Sequence, residues 1–337
     1  MEIKILNSNT TLTSTKERNK PFIIGTHNGM FHSDEVVACA ILCLLNRGKE
    51  IQIIRTRELS ILKQCYICVD IGGGNFDHHQ PNFNDVRDNG IPYASAGLVW
   101  KYYGEKLVFN YMNYNPYFCK HTDLIPTILK KIDDKVISSV DCEDNGIVAE
   151  KHLFSFISEF LPLWFEKKPD FDKQFYQALK IVIEVLEQNI LHIISDVISE
   201  NILLYNYSNS KYFSNYILEI PSQTINWLET VTKINNSSTS LCTTENIDFV
   251  IFPYPAGGWA AQCVPPDLSH KFEQRIPFPK SWAGQTEKLP EISTVEDATF
   301  CHNGCFFIRA KTKEGVIKMC KIAVENFIDD IVNSIED

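Results

Sequence analysis

The chain has 337 residues and a net charge of -10, with 44% hydrophobic and 22% charged residues. This is the composition of an ordinary globular protein, long enough for two domains. The acidic balance excludes a broad basic footprint of the kind that coats DNA, while a nucleic acid held locally stays open. The longest apolar run, Val36 to Leu45, is ten residues, about half of what a membrane span needs, so no membrane partner is expected.

Residues 1–20 are polar and rich in Asn, Ser and Thr, and are expected to be disordered. They show no basic start followed by an apolar stretch, so no secretory signal is expected. The eleven cysteines then read as reduced residues of an intracellular protein, with cytoplasm, nucleus and mitochondrion all open. Residues 20–26 read as a short buried strand ended by the turn Gly25-Thr26-His27. Ser33 is expected to cap a helix whose first turn holds Asp34 and Glu35 and whose apolar residues run to Leu45. Strands are expected at 50–57 and 65–71, with a short helical piece between them. In the second strand Cys65 and Cys68 would face opposite sides, so core packing is favoured over zinc; the same holds for Cys301 and Cys305. Strand, helix, strand, helix, strand at this spacing predicts a parallel sheet with crossover helices.

Further helices are expected at 94–103, 123–140, 171–206 and 314–335. The polar stretches 205–215 and 234–240 read as surface insertions. The predicted organisation is therefore a larger parallel-sheet domain over 21–205, a variable linker over 206–245 and a smaller α+β domain over 246–337, within an α/β protein.

Two segments concentrate chemistry. "GTHNGMFHSDE" (25–35) places His27, His32, Asp34 and Glu35 after the first strand, and "VDIGGGNFDHHQ" (69–80) places Asp70, Asp77, His78 and His79 after another. Ligands of an open parallel sheet gather outside the carboxyl ends of its strands, so these residues and Asp141 are expected along one edge. Imidazole and carboxylate donors without thiolate suit Mn²⁺, Mg²⁺ or Fe²⁺. A pair of such metals needs a bridging carboxylate, and Asp70 is central in the set.

This order of motifs resembles the DHH phosphoesterase superfamily. The segments "GTHNGMFHSDE", "RTRE", "VDIGG", "FDHHQ", "SAGLVW" and "VDCEDNG" resemble in particular its melanocyte-proliferating-gene (MYG) branch. The resemblance implies a 3′-to-5′ exonuclease on RNA or short oligonucleotides that uses two divalent cations, Mn²⁺ before Mg²⁺. One metal would be held by His27, His32 and Asp70, and the other by Asp34, Asp70, His78 and Asp141. His79 would donate to the scissile phosphate, Asp77 would orient an imidazole, and Asp144 and Asn145 would support the ligands from behind. A small-molecule phosphohydrolase is the alternative within catalysis, and an inactive nucleic-acid-binding or regulatory protein the alternative outside it. A monomer and a homodimer both stay open.

The C-terminal part is expected to meet the substrate. Residues 271–321 carry nine basic residues against six acidic ones, and Arg275, Arg309 and Lys311 are the expected phosphate contacts. Trp259, and also Trp282, are expected to stack on bases. The MYG pattern has a glycine pair near the end of this region where the chain reads Arg309-Ala310, which places an arginine where backbone would approach a phosphate.

Overall fold

The computed structural model describes residues 3–6, 21–148, 152–209, 211–214, 216–237 and 246–336. The chain forms two compact units, Met1–Val197 and Ile198–Asp337. It is an α/β protein with one parallel and one mixed sheet.

The first unit is built on four parallel strands in the order β1-β3-β2-β4: β1 (Ile3–Leu6), β2 (Phe22–Thr26), β3 (Ile51–Arg55) and β4 (Ile67–Cys68). β1 lies inside the segment expected to be disordered; it pairs with β3 from Ile3↔Ile51 to Leu6↔Ile54. Residues 7–20 fall outside the described residues, and so does the expectation for them. The crossover from β2 to β3 is α1 (Ser33–Leu45), in which every residue but Leu45 is buried. A helix that is apolar all round belongs in a core, and this explains the ten-residue run. A short helix, α2 (Leu59–Leu62), leads to β4.

β4 is only two residues long, not the seven expected. Cys65 precedes it in a turn, so its thiol does not oppose that of Cys68. A Cβ on Gly25 would stand 3.0 Å from the Cys65 sulfur and 2.9 Å from the Cys68 sulfur, so both thiols meet over β2. The ten described cysteines are all free.

α3 (Ser95–Tyr114) packs on α1. The helix expected over 123–140 is three consecutive pieces: α4 (Ile125–Ile132), a π-helical turn (Asp133–Ile137) and α5 (Ser138–Asp144). A 3-10 turn follows at Ser155–Phe160, and then the long α6 (Phe171–Tyr207), which contains the division between the units.

The second unit carries a six-stranded mixed sheet ordered β5-β6-β7-β8-β10-β9. Its strands are β5 (Phe213–Ser214), β6 (Ile217–Glu219), β7 (Phe249–Pro253), β8 (Trp259–Cys263), β9 (Ala298–Cys301) and β10 (Phe307–Ala310). Helices α7 (Leu228–Ser237), α8 (Leu289–Ser293) and α9 (Lys313–Glu336) accompany them. β5, β6 and α7 come from the stretch expected as a linker. One apolar cluster gathers Phe249, Ile251, Phe278 and Met319; another gathers Leu218, Trp227, Val250 and Phe252. Among the described residues no helix is long and apolar enough to cross a membrane.

Candidate metal centre

Because β2, β3 and β4 are parallel, the residues that follow them emerge at one end of the sheet. His27 leaves β2 with its Nε2 3.0 Å from Glu35 Oε1 and 3.3 Å from Asp70 Oδ2. Burial opposes charge on this imidazole, but Asp70 and Glu35 outweigh it and push the pKa up to about 10.

α1 starts one residue earlier than expected, with His32 and not Ser33 at the N-cap. The reason is Glu35, which accepts the His32 N–H at 3.0 Å from the third helical position. Ser33 is thereby freed, and its hydroxyl donates to Glu143 at 2.9 Å. Asp34 is fully buried and reaches across to α3, accepting the Ser95 and Ala96 N–H groups at 2.9 and 2.6 Å. These are otherwise orphan donors of a helix N-terminus, where a carboxylate is favoured. Each oxygen keeps a lone pair for a further partner. Burial raises the Asp34 pKa well above the usual carboxylate range, and the nearby Asp70, Asp144 and Asp141 raise it further.

Past β4 the backbone turns sharply. Asp70 adopts a left-handed φ of 58°, followed by Gly72 at 93° and Gly73 at 69°. Such a conformation in a non-glycine residue costs about 1–3 kcal/mol and clusters at functional sites. The loop is closed by Asp70 N–H donating to Phe76 O at 2.9 Å and by Gly73 N–H donating to Asp77 Oδ2 at 2.7 Å. Asp77 Oδ1 also accepts the His79 N–H at 3.1 Å and stands 3.4 Å from its Nδ1. The turn delivers His78 and His79 to the same place. His79 Nδ1 is 3.1 Å from Asp70 Oδ1, and His78 has Nδ1 3.5 Å from Asp70 and Nε2 2.9 Å from Asp144. Burial opposes charge on His78, but Asp144 and Asp70 raise its pKa overall.

Three groups able to hold a metal ion result: His27, His32 and Glu35; Asp70, His78 and His79; and Asp34, His78 and Asp144. In each, one donor atom per residue lies within 4.8 Å of the others. The donors fit divalent cations on a structural ground. Asp34 is a buried carboxylate whose neighbours are other carboxylates, with no lysine or arginine among its ion-pair partners in the described residues. Buried like charges are costly, and a bound cation offsets them.

Asp141, expected as a ligand, is absent from these groups. Its Oδ2 lies 2.7 Å from Arg87 Nη1, and its Oδ1 accepts the Gly97 N–H at 3.0 Å. Arg87 also forks onto Asp133 with two 2.8 Å bonds. Burial nonetheless pushes the Asp141 pKa up to about 7 against the pull of Arg87. Asp141 and Asp144 are one helical turn apart, roughly 4.5 Å along the axis, so only one of them reaches the histidines. Gly97 explains its place in "SAGLVW", because a Cβ there would fall 1.8 Å from Asp141 Oδ2. Asn145 is exposed and donates to the Asp141 carbonyl at 2.8 Å, closing α5 and not joining the cluster.

His27, His32, Asp70, His78, His79 and Asp144 line a cavity of about 680 Å³. Phe154, Ile157 and Leu161 add apolar lining, Ser155 and Ser158 add hydroxyls, and Arg57 adds a guanidinium. Glu35 and Asp144 stand in these candidate groups, where the sequence placed them only near the ligands, and Arg57 as lining was not expected. The third-position Glu and the "RTRE" segment were the available signals.

The expected substrate contacts of the second unit are mostly engaged. Arg275 Nε bonds Asp248 at 2.8 Å, and the Arg309 guanidinium lies 4.0 Å from the Tyr254 ring centre. Trp259 is half-buried on β8 with Lys313 Nζ 5.4 Å from its ring centre, while Lys311 is exposed. Trp282 is 2% exposed and belongs to the core, so it is no stacking platform.

The fold and site define an α/β protein whose parallel sheet carries, at the carboxyl end of its strands, a histidine and carboxylate cluster able to hold metal ions. The chain belongs to the MYG1 family: the model of that family, described as an uncharacterised protein family (UPF0160), matches residues 23–324. The MYG1 exonuclease of Rattus norvegicus is 30% identical over 325 residues, covering 88% of this chain and 83% of that protein. The Homo sapiens MYG1 exonuclease is 29% identical over 325 residues, covering 88% and 84%. A MYG1 protein of Caenorhabditis elegans is 28% identical over 329 residues, covering 90% and 95%. No solved structure matches the chain.

Proposed function

We propose that this protein is a metal-dependent phosphodiesterase of the DHH type, a 3′-to-5′ exonuclease acting on RNA or short oligonucleotides. The observation that carries the reading is the set of three donor groups, two of which share His78, at one end of a parallel sheet. The name exonuclease borne by the rat and human relatives supports it.

In this reading His27, His32, Glu35 and Asp70 hold one divalent cation, and Asp34, Asp70, His78 and Asp144 hold another. Mn²⁺ or Mg²⁺ in these places supplies an activated water and neutralises charge on the phosphoryl oxygens. Asp34 is aimed by the two α3 N–H groups it accepts, so the donor set is fixed by the meeting of α1 and α3. His79, whose side chain is 64% exposed, is the group free to turn a ring N–H toward a phosphoryl oxygen. Asp77 holds the His79 backbone and steadies that ring. Catalysis is thus assigned to the first unit.

The test uses an RNA oligomer labelled at its 5′ end. Manganese-loaded protein should shorten it stepwise from the 3′ end, and Asp70→Ala should lower the rate by roughly 10⁴-fold, as loss of a group acting within a catalytic unit does. Intact RNA of every length, together with cleavage of pyrophosphate, would instead establish the small-molecule phosphohydrolase.

A further inference from the structure

Resting on the phosphodiesterase reading, we propose that Arg57 holds a second phosphate of the substrate, the one next to the bond that is cut. The site would then select chain ends that carry a phosphate beyond the scissile one. Arg57 is a positioning residue in this account, since the reacting phosphate belongs to the metal cluster.

The argument begins with where β3 ends. Thr56 N–H donates to Thr26 O at 2.8 Å, which fixes residue 56 beside the residue that precedes His27. The next side chain, Arg57, therefore emerges next to the cluster, and it lines the same cavity as His27, Asp70 and His79. The other described arginines of the first unit are already committed. Arg47 pairs with Glu187. Arg55 is buried, bonded to Asp172 at 2.9 Å and Gly29 O at 2.7 Å, and lies 4.6 Å from the Phe175 ring centre. Arg87 serves Asp133 and Asp141. Arg57 is exposed, and no acidic residue pairs with it among the described residues.

The remaining lining sharpens the assignment. Arg57 is the only lysine or arginine among the described residues that line this cavity. The Ser155 and Ser158 hydroxyls donate to His152 O at 3.1 Å and Ser155 O at 2.9 Å, so they turn acceptor lone pairs to any ligand. Acceptors suit sugar hydroxyls and repel phosphate. Leu161, half-buried, offers apolar surface for a sugar or base. With His79 turned to the reacting phosphate, the planar Arg57 guanidinium, which can grip two phosphate oxygens, is the group suited to a second anion.

The test compares three RNA dinucleotides with the full-length, manganese-loaded protein: ApA, and its forms with one extra phosphate at the 5′ or the 3′ end. The wild type should show a KM about tenfold lower for one phosphorylated form than for ApA, the size expected of a charge-assisted contact. Arg57→Gln should erase that preference through KM while kcat stays within about twofold, and Arg57→Lys should restore part of it. Arg57 is exposed, so both variants should melt like the wild type. Equal use of all three substrates by the wild type, or a preference that survives in Arg57→Gln, overturns the proposal and leaves the phosphodiesterase standing. Calorimetry with Ca²⁺ in place of Mn²⁺ separates the other case. If neither a dinucleotide nor a longer RNA is cleaved but the phosphorylated form still binds about tenfold tighter than ApA, and only when Arg57 is present, the phosphodiesterase reading falls and a phosphate contact at Arg57 stands. Binding that ignores the extra phosphate overturns the anchor in either case.

Discussion

In the first unit, Asp34, Asp70 and Asp144 converge on two histidines and leave negative charge without a lysine or arginine to meet it. In the second unit, Arg275 faces Asp248, Arg309 lies on Tyr254, and Lys313 is spent on Glu219 and Trp259. A count of charges along the chain points the other way, toward the basic stretch as the place that receives phosphate. In the reading proposed above, unmet charge and not net charge marks the site. Arg275 and Lys313, already ion-paired, have little left for a ligand, whereas buried anions held together call for one.

The largest effect that would break this comparison concerns two carboxylates of one helix. Asp144→Asn should lower RNA hydrolysis roughly 10²- to 10³-fold, by removing a cluster donor, with a near-normal unfolding midpoint in urea. Asp141→Asn should do the reverse. It leaves Arg87 half-paired in the interior and should cost about 3 kcal/mol of stability in urea. A stable but inactive Asp141→Asn would return Asp141 to the metal and refute the division of labour drawn here. Next in size is the cation itself. Mn²⁺ at about a hundred times its dissociation constant should stabilise the protein by about 2.7 kcal/mol, seen as a higher melting temperature than in chelator. The same shift should vanish in Asp70→Ala. Smallest is Arg309→Gln, which should change kcat/KM on RNA less than about threefold, under ~0.7 kcal/mol. A tenfold loss would mean that the Tyr254 stack is a resting place and not a commitment.

Much of this was legible in the residues. The parallel sheet followed from the alternation of strand and helix, and α6 and α9 from long periodic runs without proline. His27, His32, Asp34, Asp70, His78 and His79 were marked by their position after strands, which the parallel arrangement turns into proximity. Asp141 and Asp144 could not be told apart by position, because the choice depends on how α5 is rotated. In that rotation Asp141 meets Arg87 and the Gly97 N–H, which are distant in sequence. Trp282 looked like a stacking surface because an aromatic residue reads alike whether it faces water or the core. Arg57 was passed over because its meaning lies in what Arg47, Arg55 and Arg87 are already doing. β1, the short run Ile3-Lys4-Ile5-Leu6, was hidden because four residues give little pattern beside the polar stretch that follows.

The π-helical turn at Asp133–Ile137 gives the site an unusual kind of address. A π turn places one extra residue in the coil, and each residue of a regular helix advances by about 100°. That single residue thus acts as a phase shift for everything downstream, turning α5 until Asp141 meets Arg87 and Asp144 meets His78. A chain shortened by that residue would keep every side chain of "VDCEDNG" and yet point both aspartates elsewhere. The spelling of the motif and its aim thus lie in different stretches of the chain, the turn at Asp133–Ile137 containing none of the cluster's donors.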